Sequence, residues 1–144
     1  IKMINQDNNT ITVNAIVDAP LKTVWEFWTQ PDHICQWNNA SPDWHTPTAT
    51  NDLQSGGEFH YLMAAKDGSF SFDFNGTYET ILAESLIVYH IEGGRKVIIN
   101  FKETGAGVQI TQIFEAEEVN ALDLQEMGWQ AILNNFKQYT EIKA

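Results

Sequence analysis

Positive charge is what this sequence has least of. Eight Lys and Arg stand against nineteen Asp and Glu, a formal net charge of −11 over 144 residues. A field of that sign repels phosphate backbones, and no Lys/Arg cluster reverses it locally, which argues against nucleic acid and anionic membrane as partners. Cysteine is nearly absent too. Cys35 stands alone, so no internal disulfide can form and a reducing, cytoplasmic setting is expected. Between Ile34 and Trp37, it is expected to be a buried structural thiol. No apolar run approaches the roughly 18 residues of a membrane span, and the opening residues 1–7 have no secretory apolar core, so no membrane insertion is expected. Chemical motifs are equally sparse. There is no nucleophile elbow, phosphate-binding Gly loop or paired-His zinc motif. His33, His45, His60 and His90 are scattered without ligand spacing, so neither a metal nor a cofactor is expected. No acid–base pair can be attached to a reaction, and no catalytic residue is assigned.

Aromatic rings, by contrast, are abundant: five Trp, eight Phe and four Tyr. Residues 1–144 make a chain of single-domain size. Residues 10–17 alternate as a strand, with Ile11, Val13 and Ala15 on one face. Asp18-Ala19-Pro20 then starts a short helix with Pro20 at its first position and an apolar stripe of Leu21, Val24, Trp25 and Trp28. Pro31 ends that helix and begins another through Trp37. Residues 38–52 hold Pro42 and Pro47 and read as irregular or a ragged edge strand. Strands follow at 58–66, 69–82, 86–92, 95–103 and 108–116. Between them lie Asp67-Gly68, read as a two-residue hairpin, then Ala83-Glu84-Ser85, Gly93-Gly94 and Thr104-Gly105-Ala106-Gly107. Connections this short join antiparallel neighbours, giving six or seven strands in all. Phe70, Phe72, Phe74, Gly76 and Tyr78 form an aromatic comb along one face. Glu58, His60, Ser71, Asp73, Asn75 and Thr77 point the other way. Glu115, Glu117 and Glu118 read as a solvated acidic strand end. Residues 120–143 form one long amphipathic helix, capped by Asn120 with Asp123 in its first turn. Its stripe is Leu122, Trp129, Ile132, Leu133 and Phe136. The class is α+β, an antiparallel sheet with its helices on one side.

Several stretches, taken in order, carry a family resemblance. They are Ala19-Pro20-Leu21-Lys22-Thr23-Val24-Trp25, the helix from Pro31-Asp32 to Trp37, and Asp52-Leu53-Gln54-Ser55-Gly56-Gly57-Glu58-Phe59. Lys66-Asp67-Gly68-Ser69, Phe72-Asp73-Phe74-Asn75-Gly76-Thr77-Tyr78, Gly94-Arg95 and Gly128-Trp129-Gln130-Ala131-Ile132-Leu133 follow. Each alone is weak, but the ordered set is specific and spans nearly the whole chain. It resembles the helix-grip (START-like, Bet v 1-like) superfamily, in the branch named after the activator-of-Hsp90-ATPase homologues. The resemblance implies a seven-stranded antiparallel sheet curled around a long C-terminal helix, with two short helices after the first strand. It also implies an elongated apolar cavity between sheet and helix. Functions in that branch range from co-chaperone to ligand binding to a few enzymatic roles, so fold does not settle function.

If the cavity exists, the inward side of the strands should line it: Phe59, Tyr61, Met63, Phe72, Phe74, Tyr78, Ile99 and Phe101. The helix should add Trp129, Leu133 and Phe136, and Trp28, Trp37 and Trp44 would stand at its mouth. Gln112 and Glu126 are candidate polar contacts within it. The competing reading is a solid core packed by the same rings. Binding of a small hydrophobic or aromatic molecule is the favoured function. A co-chaperone-like interaction domain and a cyclase- or hydrolase-type enzyme on a bulky organic substrate are the alternatives. Monomer and homodimer are both open.

Overall fold

The structure, a computed structural model, describes residues 9–144; the opening stretch, expected to lack a leader, lies outside the described residues. β1 (Thr10–Val17) leads into α1 (Leu21–Thr29) and α2 (Pro31–Trp37). β2 (Trp44–Asn51), β3 (Glu58–Ala65), β4 (Ser71–Leu82), β5 (Leu86–Ile91), β6 (Lys96–Thr104) and β7 (Gly107–Glu115) follow, and α3 (Leu122–Lys143) ends the chain. The seven strands form one curled antiparallel sheet in the order β1-β7-β6-β5-β4-β3-β2. Short turns build the meander from β2 to β7. The two short helices carry the chain from one edge of the sheet to the other.

Alternation decides the faces. Ile11, Val13 and Val17 of β1, Val97, Ile99 and Phe101 of β6, and Val108, Ile110 and Phe114 of β7 are buried on the concave side. The opposite side carries Glu58, His60, Asp73 and Thr77 in solvent. There the His60 Nδ1 is 2.8 Å from Asp73 Oδ2 and its Nε2 is 3.1 Å from Glu58 Oε1. β2 is a strand, but a broken edge one: its register with β3 shifts between His45 and Thr48, where Pro47 can donate nothing to the ladder. The β3–β4 hairpin is longer than the Asp67-Gly68 pair suggested. Ala65 N–H donates to Phe70 O, so Lys66, Asp67, Gly68 and Ser69 all belong to the turn.

The short helices and the end of β1 hold the C-terminal half of α3. Pro20 precedes α1 as its cap rather than opening it. Pro31 occupies the first turn of α2, and the Trp37 indole N–H donates to Phe27 O at 2.9 Å, locking α2 to α1. At the C-terminal half of α3, Lys137 Nζ donates to Ile16 O (2.6 Å), and Glu141 accepts the Asp18 N–H (2.8 Å). Tyr139 and His33 are hydrogen-bonded at 2.7 Å. The start of α3 differs from the sequence expectation. Asn120 is not its cap; Ala121 is, and it offers no side chain. Gln125 reaches back instead, accepting from Glu117 N–H and donating to the Glu117 and Asn120 carbonyls. That side chain satisfies linker groups that the helix itself cannot.

Leu122 of the expected stripe is 47% exposed. Leu133 and Phe136 sit in the core, while Trp129 and Ile132 are half-buried against it. Glu115 also departs from its reading as a solvated acid: it is buried, and its carboxylate accepts the Lys96 N–H at 2.7 Å. Among the described residues no helix is long and apolar enough to cross a membrane.

Candidate functional site

The register of the sheet sets the floor of the site. Tyr78 of β4, Tyr89 of β5, Val97 of β6 and Phe114 of β7 stand in one row across the strands. Ile87, Ile99 and Gln112 form the next. Phe59 lies opposite Gly76, and a Cβ at Gly76 would meet the Phe59 Cε2 at 2.8 Å. The missing side chain therefore lets the Phe59 ring fold over β4, where it packs edge-on against Tyr89 with centroids 4.8 Å apart. Tyr61, Met63, Phe72 and Phe74 continue the wall on β3 and β4. Trp129 of α3 forms the roof and stacks on Phe114. Trp28 and Trp37 close the end under the short helices.

Between these walls the packing leaves a cavity of about 310 Å³. The interior is thus neither solid nor a wide tunnel. Trp28, Trp37, Phe59, Tyr61, Met63, Phe72, Phe74, Tyr78, Ile99, Gln112 and Trp129 all border it. Five residues expected there do not. Phe101, Leu133 and Phe136 point inward but fill the core beside the cavity: Phe136 wedges between Trp28 and Trp37, with centroids at 4.8 and 4.9 Å, and Phe101 packs on Trp25 and Trp28. Trp44 sits on the edge strand, against Phe70 and Phe72, and faces an outer groove. Glu126 is on the solvent side of α3 with Asp123, Met127 and Gln130, where a carboxylate stays hydrated.

The lining also has members that the sequence reading passed over: Asn38, Ala40, Ile87, Tyr89, Arg95, Gly128 and Ile132. Parity along the strands would have found three of them. Ile87 and Tyr89 share a side of β5, and Arg95 is in phase with Val97 and Ile99. The exposed Ala40 and Phe72 mark an opening of the cavity to solvent.

The polar groups inside are few, and some of them are held in place. The Tyr78 hydroxyl donates to Asn51 Oδ1 at 2.6 Å, and Asn51 Nδ2 donates to Thr29 O at 2.8 Å, which ties the wall to α1. Burial raises all three phenols. It holds Tyr61 well above its ordinary value, pushes Tyr78 up to about 12, and carries Tyr89 higher again despite the nearby Arg95 charge. They are neutral hydrogen-bonding groups at any physiological pH. Arg95 is the one charged residue of the lining, and its Nη1 donates to Glu115 O at 3.0 Å. The lining has no carboxylate, His, Cys, Ser or Thr. Among the described residues no three side chains converge as metal ligands.

A second depression, open to solvent, runs outside the α2–β2 loop past Trp44, His45, Lys66 and Cys35. Cys35 is half-buried rather than buried. Burial, then the Asp32 charge, raise its thiol above the ordinary value, which disfavours the reactive thiolate.

Comparison with known proteins agrees with this architecture. The solution structure of the AHSA1-like protein from Aeromonas hydrophila is 39% identical, with 94% of each chain covered and a TM-score of 0.89. The solution structure of a protein from Cytophaga hutchinsonii is 50% identical over 95% of this chain and 94% of its own, at a TM-score of 0.78. A crystal structure from Nitrosomonas europaea shares the fold at 18% identity, covering 97% and 98% of the two chains with a TM-score of 0.81. No curated protein matches. The sequence pattern described as Activator of Hsp90 ATPase homolog 1-like protein matches residues 18–141, from the Asp18 that α3 holds to the Glu141 that holds it. With that span and the helix-grip-like fold together, the chain belongs to the activator of Hsp90 ATPase homolog 1-like family.

Proposed function

We propose that this protein binds a small hydrophobic or aromatic molecule in the cavity between the sheet and α3. The observation that supports this most is the cavity itself, about 310 Å³ of space walled by rings and aliphatics with a handful of polar groups. That is the composition of a ligand pocket and sits at the lower end of the usual volume range. Magnitudes limit the affinity. A two-ring body with roughly 300 Å² of apolar surface gains about 7 kcal/mol at ~25 cal/mol per Å². Association costs of several kcal/mol come off that sum, so apolar burial alone yields weak binding and polar contacts must supply the rest. A cytoplasmic setting accords with the reading, since Cys35 is a lone thiol. Screening a lipid and polyketide library by tryptophan fluorescence and thermal shift tests it: Trp28, Trp37 and Trp129 border the site and should report occupancy. No shift across a broad library would count against a binding role.

A further inference from the structure

Three polar side chains in the cavity are left over by the packing. Gln112 is only 6% exposed and Tyr89 only 7%. Both border the cavity, and neither side chain has a hydrogen-bond partner among the described residues. Their polar atoms are not sealed in the packing, since the buried side-chain polar atom left without a partner among the described residues is Thr140 Oγ1; they open to the cavity, where water or a ligand can meet them. Arg95 is the third. It is half-buried, and its Nη1 donates to the Glu115 backbone carbonyl. The neighbouring Glu115 is buried as well, and its carboxylate accepts the Lys96 N–H at 2.7 Å. A guanidinium never deprotonates at working pH, so Arg95 keeps a permanent positive charge at the cavity wall. The protein's net charge of −11 works against any anion outside, so Arg95, the one charged residue of the lining, is the group that can favour one in the cavity.

The three are ordered along the floor. Arg95 is at the start of β6 and two residues from Val97, whose partner on β5 is Tyr89. Gln112 lies opposite Ile99, a further step into the cavity. The Arg95 charge is close enough to Tyr89 to act on its phenol. From Arg95 inward the wall thus runs from cation to neutral donor to amide, with rings on either side.

We propose that the cavity takes an amphipathic carboxylic acid, its carboxylate received by Arg95 and Tyr89 and its apolar body lying between Phe59, Phe74 and Trp129, with Gln112 meeting a polar atom deeper in. The planar fork of the guanidinium matches a carboxylate in two parallel N–H···O bonds, and the Tyr89 hydroxyl adds a third donor. The proposal rests on the binding reading above and names the class of ligand.

The test separates the two. Calorimetry would compare a naphthoic acid with its carboxamide, and decanoic acid with decanol, on the wild-type chain and on Arg95→Gln and Tyr89→Phe. Each acid is expected to bind roughly ten- to a hundredfold tighter than its neutral analogue, the range for hydrogen bonds to a charged group. Arg95→Gln should erase that preference, bringing the acid down to the affinity of its neutral analogue, and a thermal melt of the variant checks that the cavity is still folded. Tyr89→Phe should reduce the preference in part. Acid and neutral analogue binding equally, with no effect of Arg95→Gln, would overturn the carboxylate seat and leave the apolar cavity intact. Failure of every probe to bind would overturn both.

Discussion

The Trp129 indole lies flat on the Phe114 ring, with centroids 3.9 Å apart and planes 14° from parallel. One ring belongs to α3 and the other to β7, so this stack sets the height of the helix over that side of the sheet. Trp129 also meets Phe74 edge-on at 6.3 Å, on the far side of the cavity. One side chain thereby spans the roof and touches both walls.

Replacing Trp129 by Ala should remove the roof. The residue is half-buried, so the loss should fall below the ~3–5 kcal/mol of a fully buried Trp, at about 2–3 kcal/mol in urea unfolding. Probe affinity should drop as well. Trp129→Phe retains a ring on Phe114 and should recover most of both.

Gly128, next along the helix, makes the opposite prediction. A Cβ there would meet no atom within 4 Å, yet glycine in a helix interior costs about 1 kcal/mol relative to alanine. Gly128→Ala should therefore raise the unfolding midpoint, by up to about 1 kcal/mol in stability. Gly128→Met projects a longer chain from a residue that lines the cavity. It should retain the stability gain while weakening binding of the larger probes. Comparing the two variants by thermal melt and titration separates a helix effect from a cavity effect.

Phe136 is fully buried between Trp28 and Trp37, and Leu133 is as deep. Truncating either to Ala should cost about 3–5 kcal/mol. A surface control such as Glu126→Gln should stay within about 0.5 kcal/mol. Denaturant midpoints at constant slope would check the contrast.

The helix, the strands and their faces were all legible in the sequence, because period two and period 3.6 dictate which side of an element is apolar. Which inward residue borders empty space was not. Phe101, Leu133 and Phe136 have the same inward phase as Ile99 and Trp129, but space is what remains after two walls pack, and no single element encodes it. The aromatic comb shows the same limit. Phe70 and Tyr78 share its periodicity, yet Phe70 is 59% exposed and Tyr78 5%, since the hairpin runs out beyond the roof. Arg95 is in phase with Val97 and Ile99, but it stands just before β6 at a hairpin turn, where a charge ordinarily faces water and alternation does not tell a cavity wall from solvent. Gln125, buried beneath the linker, replaced the expected Asn120 cap through a contact that depends on how β7 turns into α3.

On the convex face, His60 is bonded to Asp73 and then Glu58, and these bonds raise its pKa above the ordinary 6.5. A group raised on folding contributes stability below its unfolded value and loses it as pH rises through the folded value. The contribution is small because the site is exposed. Nuclear magnetic resonance titration should place the His60 midpoint above 6.5, and Asp73→Asn should lower it. An unchanged midpoint in that variant would remove the hydrogen bond as the cause.

The binding reading is tested most directly by mapping where a saturating aromatic acid alters the spectrum of the isotope-labelled protein. A naphthoic acid should shift Trp129, Phe74, Tyr89 and Arg95 together, in one saturable process, with intermolecular Overhauser contacts to the Trp129 ring. Shifts confined to the outer groove near Cys35 and Trp44, or none at saturating probe, would contradict the account.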